Sequence, residues 1–273
     1  MSNLRVGIYM MQRDELELLP IFLKYYGQGF GYPNLHIFDN GSSASMARIF
    51  DEFRCLGVNF YQQYSTQNDF NEKSTIFNRF MKEHRFQYDI FLPLDCDEFV
   101  GIIDDQGVYS CDFEKISDYF ASLNSGGFWV GSRLRNQASK IDMFYEYQGA
   151  RKLWFKDCNV EGLSLGAHRV TKPQDIRDSR ICYMELHNRE FSAVRAAAVR
   201  KMTGRVASFG EVDLLKYRGA GQHLVPYLLE NGEERYNQNL QKQNWKHTTA
   251  LQDAFTALDI DFPFKGSTDR SGR

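Results

Sequence analysis

The sequence predicts an α/β protein with a doubly wound, mostly parallel sheet flanked by helices and followed by a C-terminal helical extension. Over the first hundred residues, short apolar runs alternate with segments whose apolar residues recur at helical spacing. One run, IFLPL at residues 90–94, has no polar alternation, which is typical of a strand covered on both faces. Strands that alternate with helices join through right-handed crossovers into such a sheet.

The predicted elements alternate regularly. Gly27 to Gly31 ends the first helix, and the turn-rich segment Asp39 to Ser43 follows the second strand. In order, we predict strand 5–10, helix 16–26, strand 35–38, helix 46–56, strand 58–61, helix 70–84 and strand 90–94.

Charge and cysteine content exclude several classes of protein. The 273 residues carry a formal net charge of −2, which provides no electrostatic footprint for nucleic acid. Five scattered cysteines without C-x-x-C spacing favour reduced thiols and a cytoplasmic location. We expect no transmembrane segment because no run of about 18 apolar residues occurs. The amino terminus also lacks the apolar region of a signal peptide.

Polar clusters follow three of the predicted strands. They are Arg13 to Glu15, Asp39 to Gly41 and Asp95 to Asp97. Ligands of such sheets bind outside the carboxyl ends of the strands, so these clusters are expected to meet at a binding site. The dinucleotide signature G-x-G-x-x-G is missing after the first strand, and no G-x-x-x-x-G-K-[ST] loop occurs, which argues against ordinary NAD and P-loop sites.

Asp95 and Asp97 are candidates for a metal site. Side chains alternate along a strand, so both carboxylates are expected on one face with Cys96 on the other. Two close carboxylates raise each other's pKa unless a cation compensates, and oxygen ligands favour Mg²⁺ or Mn²⁺. The alternative is that these acids only solvate a strand end. Asp259-Ile-Asp261 has the same spacing without the preceding apolar run, so the context of Asp95 matters more than the spacing.

The motifs VGIYMMQRDE, LHIFDNGSS and DIFLPLDCDEFV, in that order, resemble GT-A glycosyltransferases of the family-2-like group, close to the family-92 branch (domain of unknown function 23). Looser matches are KSTIFN, FWVGS, RKLWF, LGAHRV and LHNREFSAVRAAAVRKMTGR. RDE departs from the K-N-E of that branch, although Glu15 matches. The resemblance spans residues 4–205. It implies a glycosyltransferase domain at 1–205, with a nucleotide-binding half at about 1–100 and an acceptor half at about 101–205, before the extension at 206–273.

The resemblance also implies roles for the acidic residues. Asp97 would bind the metal directly, and Asp95 would contact the ribose or reach the metal through water. Asp39 would accept a hydrogen bond from the base, which favours a UDP-sugar donor because cytosine lacks the imide N–H. Glu15 would line the nucleoside-binding site.

Basic residues and histidines are the remaining site candidates. His168 is the expected third metal or phosphate contact, with His187 as the alternative. Each could instead be a buried, hydrogen-bonded strand histidine. Lys152, Arg189 and Arg195 are candidates for neutralising phosphate charge, and the alternative for each is an ordinary surface cation.

The expected reaction is metal-dependent transfer of a sugar from a nucleotide diphosphate to a glycan or other hydroxyl acceptor, with inversion favoured by the resemblance. Inversion needs a carboxylate as general base. Glu161 is our candidate for this base, and Glu146, Asp142, Glu211 and Asp213 are the other candidates.

Two alternative functions stay open. One is a phosphatase of the haloacid dehalogenase type. Phe99 argues against it, because it occupies the position where the D-x-D-x-[TV] motif of these enzymes has Thr or Val. The other is a nucleotide-sugar-binding protein that has lost catalysis.

Overall fold

A computed structural model describes residues 4–138, 140–219 and 221–264 of the chain. The helices are α1 Leu19–Tyr26, α2 Ala47–Cys55, α3 Gln67–Asn71, α4 Lys73–Glu83, α5 Phe113–Ser122, α6 Phe191–Met202, α7 Glu211–Lys216, α8 Gly232–Gln241 and α9 Ala250–Ala257. The strands are β1 Val6–Gln12, β2 Leu35–Asp39, β3 Asn59–Tyr61, β4 Ile90–Leu94, β5 Glu98–Ile103, β6 Tyr109–Ser110, β7 Gly126–Trp129, β8 Ser132–Gln137, β9 Lys140–Glu146, β10 Leu153–Lys156, β11 Ile176–Asp178, β12 Ile181–Glu185 and β13 Lys246–His247.

The first sheet confirms the predicted mixed α/β architecture. Its strand order is β11-β7-β10-β4-β1-β2-β3, and β4, β1, β2 and β3 are mutually parallel. Only β10 runs antiparallel to its neighbours β4 and β7. Every residue of β1, β2 and β4 is buried, which is the burial that the unbroken apolar run in β4 predicts.

Apolar side chains cover both faces of this sheet because they alternate along each strand. On one face, Ile8 and Leu92 belong to a core that includes α1, α2, α5 and α9. On the other face, Tyr9 and Phe91 pack with residues of α4, such as Phe77.

The sequence prediction did not include a second sheet. Within the described residues it has six strands in the order β13-β9-β8-β12-β5-β6, all antiparallel except the pair β8 and β12. The chain passes from the first sheet to the second at three short connections, between β4 and β5, β7 and β8, and β11 and β12. These crossings make residues 95–97, 130–131 and 179–180 the corners of the fold.

The C-terminal region contains the helices α7, α8 and α9, and it also supplies β13 to the second sheet. Helix α9 enters the main core, where the Phe255 ring packs against Tyr25 and Phe99. Gln28 Nε2 donates to the carbonyl of Leu258 over 3.0 Å, which ties the end of α9 to the region after α1. The end of the predicted extension, residues 265–273, lies outside the described residues. No helix in the described ranges is long and apolar enough to cross a membrane.

One buried hydroxyl fastens α1 to the start of β5. Tyr26 Oη donates to the carbonyl of Glu98 over 2.9 Å and accepts from the amide of Val100 over 2.8 Å. Both backbone groups lie in the core, so the hydroxyl satisfies a donor and an acceptor that water does not reach.

Replacing Tyr26 by Phe is therefore expected to destabilise the protein by about 2 kcal/mol, because it leaves these backbone groups unpaired. Urea unfolding followed by circular dichroism measures the change. Tyr32→Phe, at a partly exposed ring in the turn that follows, is the control and should change the free energy of unfolding much less. Equal effects for the two variants would contradict the bridging role of Tyr26.

Candidate active site

The candidate site lies at the corner between β4 and β5. Asp95, Cys96 and Asp97 form this corner. The carboxylates of Asp95 and Asp97 lie where the parallel strand β4 ends. The registers Gln12 with Asp39 and Met10 with Leu94 place the ends of β1, β2 and β4 along one edge of the sheet. The three polar clusters that the sequence indicated therefore share this edge.

Two lysines hold Asp95. Lys73 Nζ, at the start of α4, donates to Asp95 Oδ1 over 2.8 Å, and Lys152 Nζ, just before β10, donates to Asp95 Oδ2. Burial alone would raise the pKa of Asp95, but the two ammonium groups hold it well below its usual range. Asp95 is thus a fixed anion with both oxygens engaged by cations.

Lys152 also pairs with a buried carboxylate. Its Nζ lies 2.6 Å from Glu98 Oε1, while Glu98 Oε2 accepts from the amide of Asp95 over 2.8 Å. Burial disfavours the charged ammonium, yet Asp95 and Glu98 together raise the pKa of Lys152. Two sets of contacts therefore fix the corner. Glu98 binds its backbone at the amide of Asp95, and the two lysines bind the Asp95 side chain.

The network continues into the second sheet. Arg133 NH2 lies 3.8 Å from Glu98 Oε1, and Arg133 Nε also donates to Glu185, the last residue of β12. Arg135 Nε donates to the other Glu185 oxygen over 3.0 Å. Burial raises the pKa of Glu98, and the attraction of Lys152 offsets the loss of solvation only in part.

Asp97 points to a different partner. His187 Nδ1 lies 3.2 Å from Asp97 Oδ2, and the amide of Leu186 donates to the Asp97 carbonyl over 2.8 Å. Burial would raise the pKa of Asp97, but the contact with His187 lowers it. The side chains of Asp97 and His187 are 24% and 40% exposed, so this pair can meet a ligand directly.

His168 has a different contact. Its Nδ1 is 2.7 Å from the carbonyl oxygen of Arg151, and burial lowers its pKa. Of the two histidines chosen from the sequence, the structure brings only His187 into contact with Asp97.

The nucleoside-side candidates are tied to their own turns. The buried Asp39 accepts from Gln12 Nε2 over 2.8 Å and from Ser42 Oγ over 2.5 Å, and burial raises its pKa. Glu15 Oε2 pairs with Arg189 NH2 at 3.1 Å. Arg189 follows His187 by two residues. The ion pair of Glu15 with Arg189 therefore joins the segment after β1 to the segment that carries His187.

Glu161 is placed outside this cluster. It pairs with Lys172 at 3.0 Å and accepts from Asn159 over 2.8 Å, and its side chain is 41% exposed. A cavity of about 870 Å³ also lies elsewhere, between β5, β6, α5 and α9, and it shares no lining residue with the pair Asp97 and His187.

The donor set fits a metal only in part. In the described ranges, no group of three or more His, Cys, Asp or Glu side chains could hold an ion. Asp97 and His187 offer two ligands, whereas both Asp95 oxygens already contact lysines. An ion held here would have to take its other ligands from a substrate and from water, as Mg²⁺ commonly does.

Several members of this cluster were not predicted from the sequence. Lys73, Arg133, Arg135 and Glu185 were not singled out as site residues. The spacing Arg133-Leu134-Arg135 in SRLRNQ is a usable signal, because residues two apart on a strand share a face. Glu185, at the end of the apolar run ICYM, is a second signal of the kind that revealed Asp95.

No protein-family model and no curated protein matches the chain. Among solved structures, residues 1–349 of TarS from S. aureus align with a TM-score of 0.41 and 10% identity, over 86% of this chain and 73% of TarS 1–349. A second TarS crystal structure gives a TM-score of 0.40 and 11% identity, over 83% of this chain and 42% of that one. Similarity this low carries no conclusion about the activity of this chain.

We expect Lys152→Met to destabilise the protein by about 3–5 kcal/mol, because it leaves Asp95 and Glu98 without their shared buried cation. Chemical denaturation at pH 7 measures this. Lys172→Met is the matched control, because Lys172 pairs with an acid at the exposed surface and should change stability little. A Lys152→Met protein as stable as the control would show that the buried network does not stabilise the corner.

Proposed function

We propose that the chain is a glycosyltransferase of the GT-A type that transfers a sugar from a nucleotide diphosphate, with a UDP-sugar favoured. The observation that carries this proposal is the partly exposed pair of Asp97 and His187, held at the carboxyl edge of a parallel sheet by a buried ionic network. The order of the sequence motifs, which resembles the family-2-like glycosyltransferases, supports it.

The donor would lie along the edge formed by the ends of β1, β2 and β4. Asp39 would face the base, and Glu15 with Arg189 would close the nucleoside side. Sugar transfer leaves negative charge on the departing diphosphate, so cations near it stabilise the transition state. Lys73 and Lys152 border this place, although both are already paired with Asp95.

Asp97 and His187 would hold a divalent ion, Mn²⁺ or Mg²⁺, together with the donor diphosphate. Such an ion supplies Lewis acidity to the leaving phosphate. Lys73 and Lys152 keep Asp95 anionic and fix the corner, so that Asp97 projects toward the ligand. This gives Asp95 a positioning role, besides any contact with the ribose.

The acceptor would be a glycan or another hydroxyl compound, and inversion of the sugar stereochemistry is part of the proposal. Inversion requires a carboxylate near the acceptor hydroxyl. Glu161, exposed and paired with Lys172, has no contact with Asp97 or His187 among the described residues, so we do not carry it into the proposal. A cytoplasmic location is proposed as well, supported by the five free thiols.

Asp97→Asn is expected to abolish Mn²⁺-dependent binding of UDP, because the amide cannot replace the charged metal ligand, while the circular dichroism spectrum stays unchanged. Calorimetric titration of UDP, with and without Mn²⁺, measures this. Asp105→Asn, at a 90% exposed carboxylate paired with Arg180, is the control and should bind like the unmodified protein. Undiminished UDP binding by the Asp97→Asn protein would exclude Asp97 as the metal ligand.

His187→Ala is expected to lower the rate of UDP release from a UDP-sugar by about 100-fold, or about 2.7 kcal/mol, with a small change in melting temperature. His168→Ala should affect this rate much less, since its ring faces a backbone carbonyl. The reverse ranking would make His168 the functional histidine. Release of inorganic phosphate from sugar phosphates, without UDP release from any UDP-sugar, would favour the phosphatase alternative.

A further inference from the structure

Helix α7 and the residues just before it expose a group of bulky apolar side chains. Phe209, Val212 and Leu215 are 43%, 64% and 52% exposed. We call these three side chains the apolar face. Val212 and Leu215 are three residues apart and hence neighbours on the helix surface, whereas Leu214 turns inward and is buried. Isolated exposed apolar residues are ordinary, but three within seven residues of the chain are an unusual concentration that calls for a partner.

The apolar face is displayed on a packed unit. Its inner side contributes Leu214 to a small core that also contains Met202 of α6 and Val225 of the 3-10 helix Gln222–Tyr227. Ser208 Oγ donates to Asp213 Oδ2 over 2.5 Å, which closes the turn that leads into α7. The three side chains therefore project from a folded scaffold.

Basic residues outnumber acidic ones in the segment that carries the apolar face, although Glu211 and Asp213 flank Val212. Residues 200–218 contain five basic and two acidic residues, whereas the whole chain carries a formal net charge of −2. Lys216 and Arg218 follow Leu215, and both are exposed. Arg218 NH1 donates to the carbonyls of Leu215 and Tyr217 over 2.7 and 2.9 Å, which fixes its guanidinium at the end of α7. Arg200 and Lys201 are exposed in the last turn of α6, which packs on the same small core.

We propose that this surface docks on an anionic lipid bilayer, with the apolar face inserted at the headgroup level and the basic residues of the same segment bound to headgroups. Amphipathic elements with apolar residues beside Lys and Arg bind membrane interfaces through these two terms together. The apolar side chains would gain little from nucleic acid. A second copy of the chain on this face would instead be seen as a dimer in solution.

The test is co-sedimentation of the full chain with vesicles of phosphatidylcholine, with and without phosphatidylglycerol. We expect binding to the anionic vesicles only, weakening as NaCl rises. Phe209→Ser with Val212→Ser and Leu215→Ser should reduce the partition coefficient at least about tenfold. Lys216→Glu with Arg218→Glu should reduce it by at least about the same factor.

Matched controls alter equally exposed residues elsewhere. Leu56→Ser with Phe86→Ser and Val108→Ser changes three other exposed apolar residues. Lys82→Glu with Arg85→Glu removes two other exposed cations. Both control proteins should bind the anionic vesicles like the unmodified protein, and melting curves followed by circular dichroism check that every variant folds.

Three results would overturn the proposal. The first is a protein that stays in the supernatant with anionic vesicles. The second is binding that the Phe209, Val212 and Leu215 substitutions reduce no more than the control substitutions do. The third is a dimer, seen by sedimentation velocity, that those substitutions convert to a monomer, because a second copy of the chain would then cover the face. None of these results bears on UDP binding, so they leave the proposed transferase activity separately testable.

Discussion

The ionic contact of Lys152 with Asp95 and Glu98 is the constraint on which the candidate site depends. Burying Lys152 and Glu98 costs solvation free energy, and their close approach to each other and to the partly exposed Asp95 offsets that cost. The contact joins the start of β10 to the corner between the two sheets. Tyr26 holds the backbone of Glu98 from the opposite side. At the corner fixed in this way, the Asp97 carboxylate lies beside His187.

Four strands of the first sheet, β1 to β4, could be predicted from the sequence, but β7, β10 and β11 of that sheet and the whole second sheet could not. In the first hundred residues, each strand is an apolar run and each connection contains a helical pattern, so local sequence and final structure agree. Strand β8 shows the opposite situation. Its sequence SRLRNQ contains two arginines, and it is a strand because Arg133 and Arg135 meet Glu185 on β12, some fifty residues later in the chain. Such pairing depends on tertiary contacts that no local window contains.

The same distinction explains what the sequence revealed of the site. Asp39, Asp95 and Asp97 could be found because they end apolar strands, and the ends of parallel strands meet at one edge. The ion pairs of Asp95 could not be found, because Lys73 and Lys152 reach it from 22 and 57 residues away. Lys73 was not singled out, and Lys152 was expected to contact phosphate. The sequence favoured His168 over His187, and only the position of Leu186 against the Asp97 backbone shows which ring lies beside the carboxylate.

The burial of α9 in the main core has a consequence for how the protein is made. Phe255 fills a space between Tyr25 and Phe99, and the bond from Gln28 to Leu258 closes a separation of 230 residues. A growing chain on the ribosome cannot complete this core until α9 has emerged, so the apolar site that α9 fills stays open while residues 29–249 are synthesised. Contacts between residues this distant in sequence form slowly, and hydrophobic surface that is prone to aggregation stays exposed until they form. The nascent protein therefore depends on protection from aggregation for longer than the early strand and helix units alone would require.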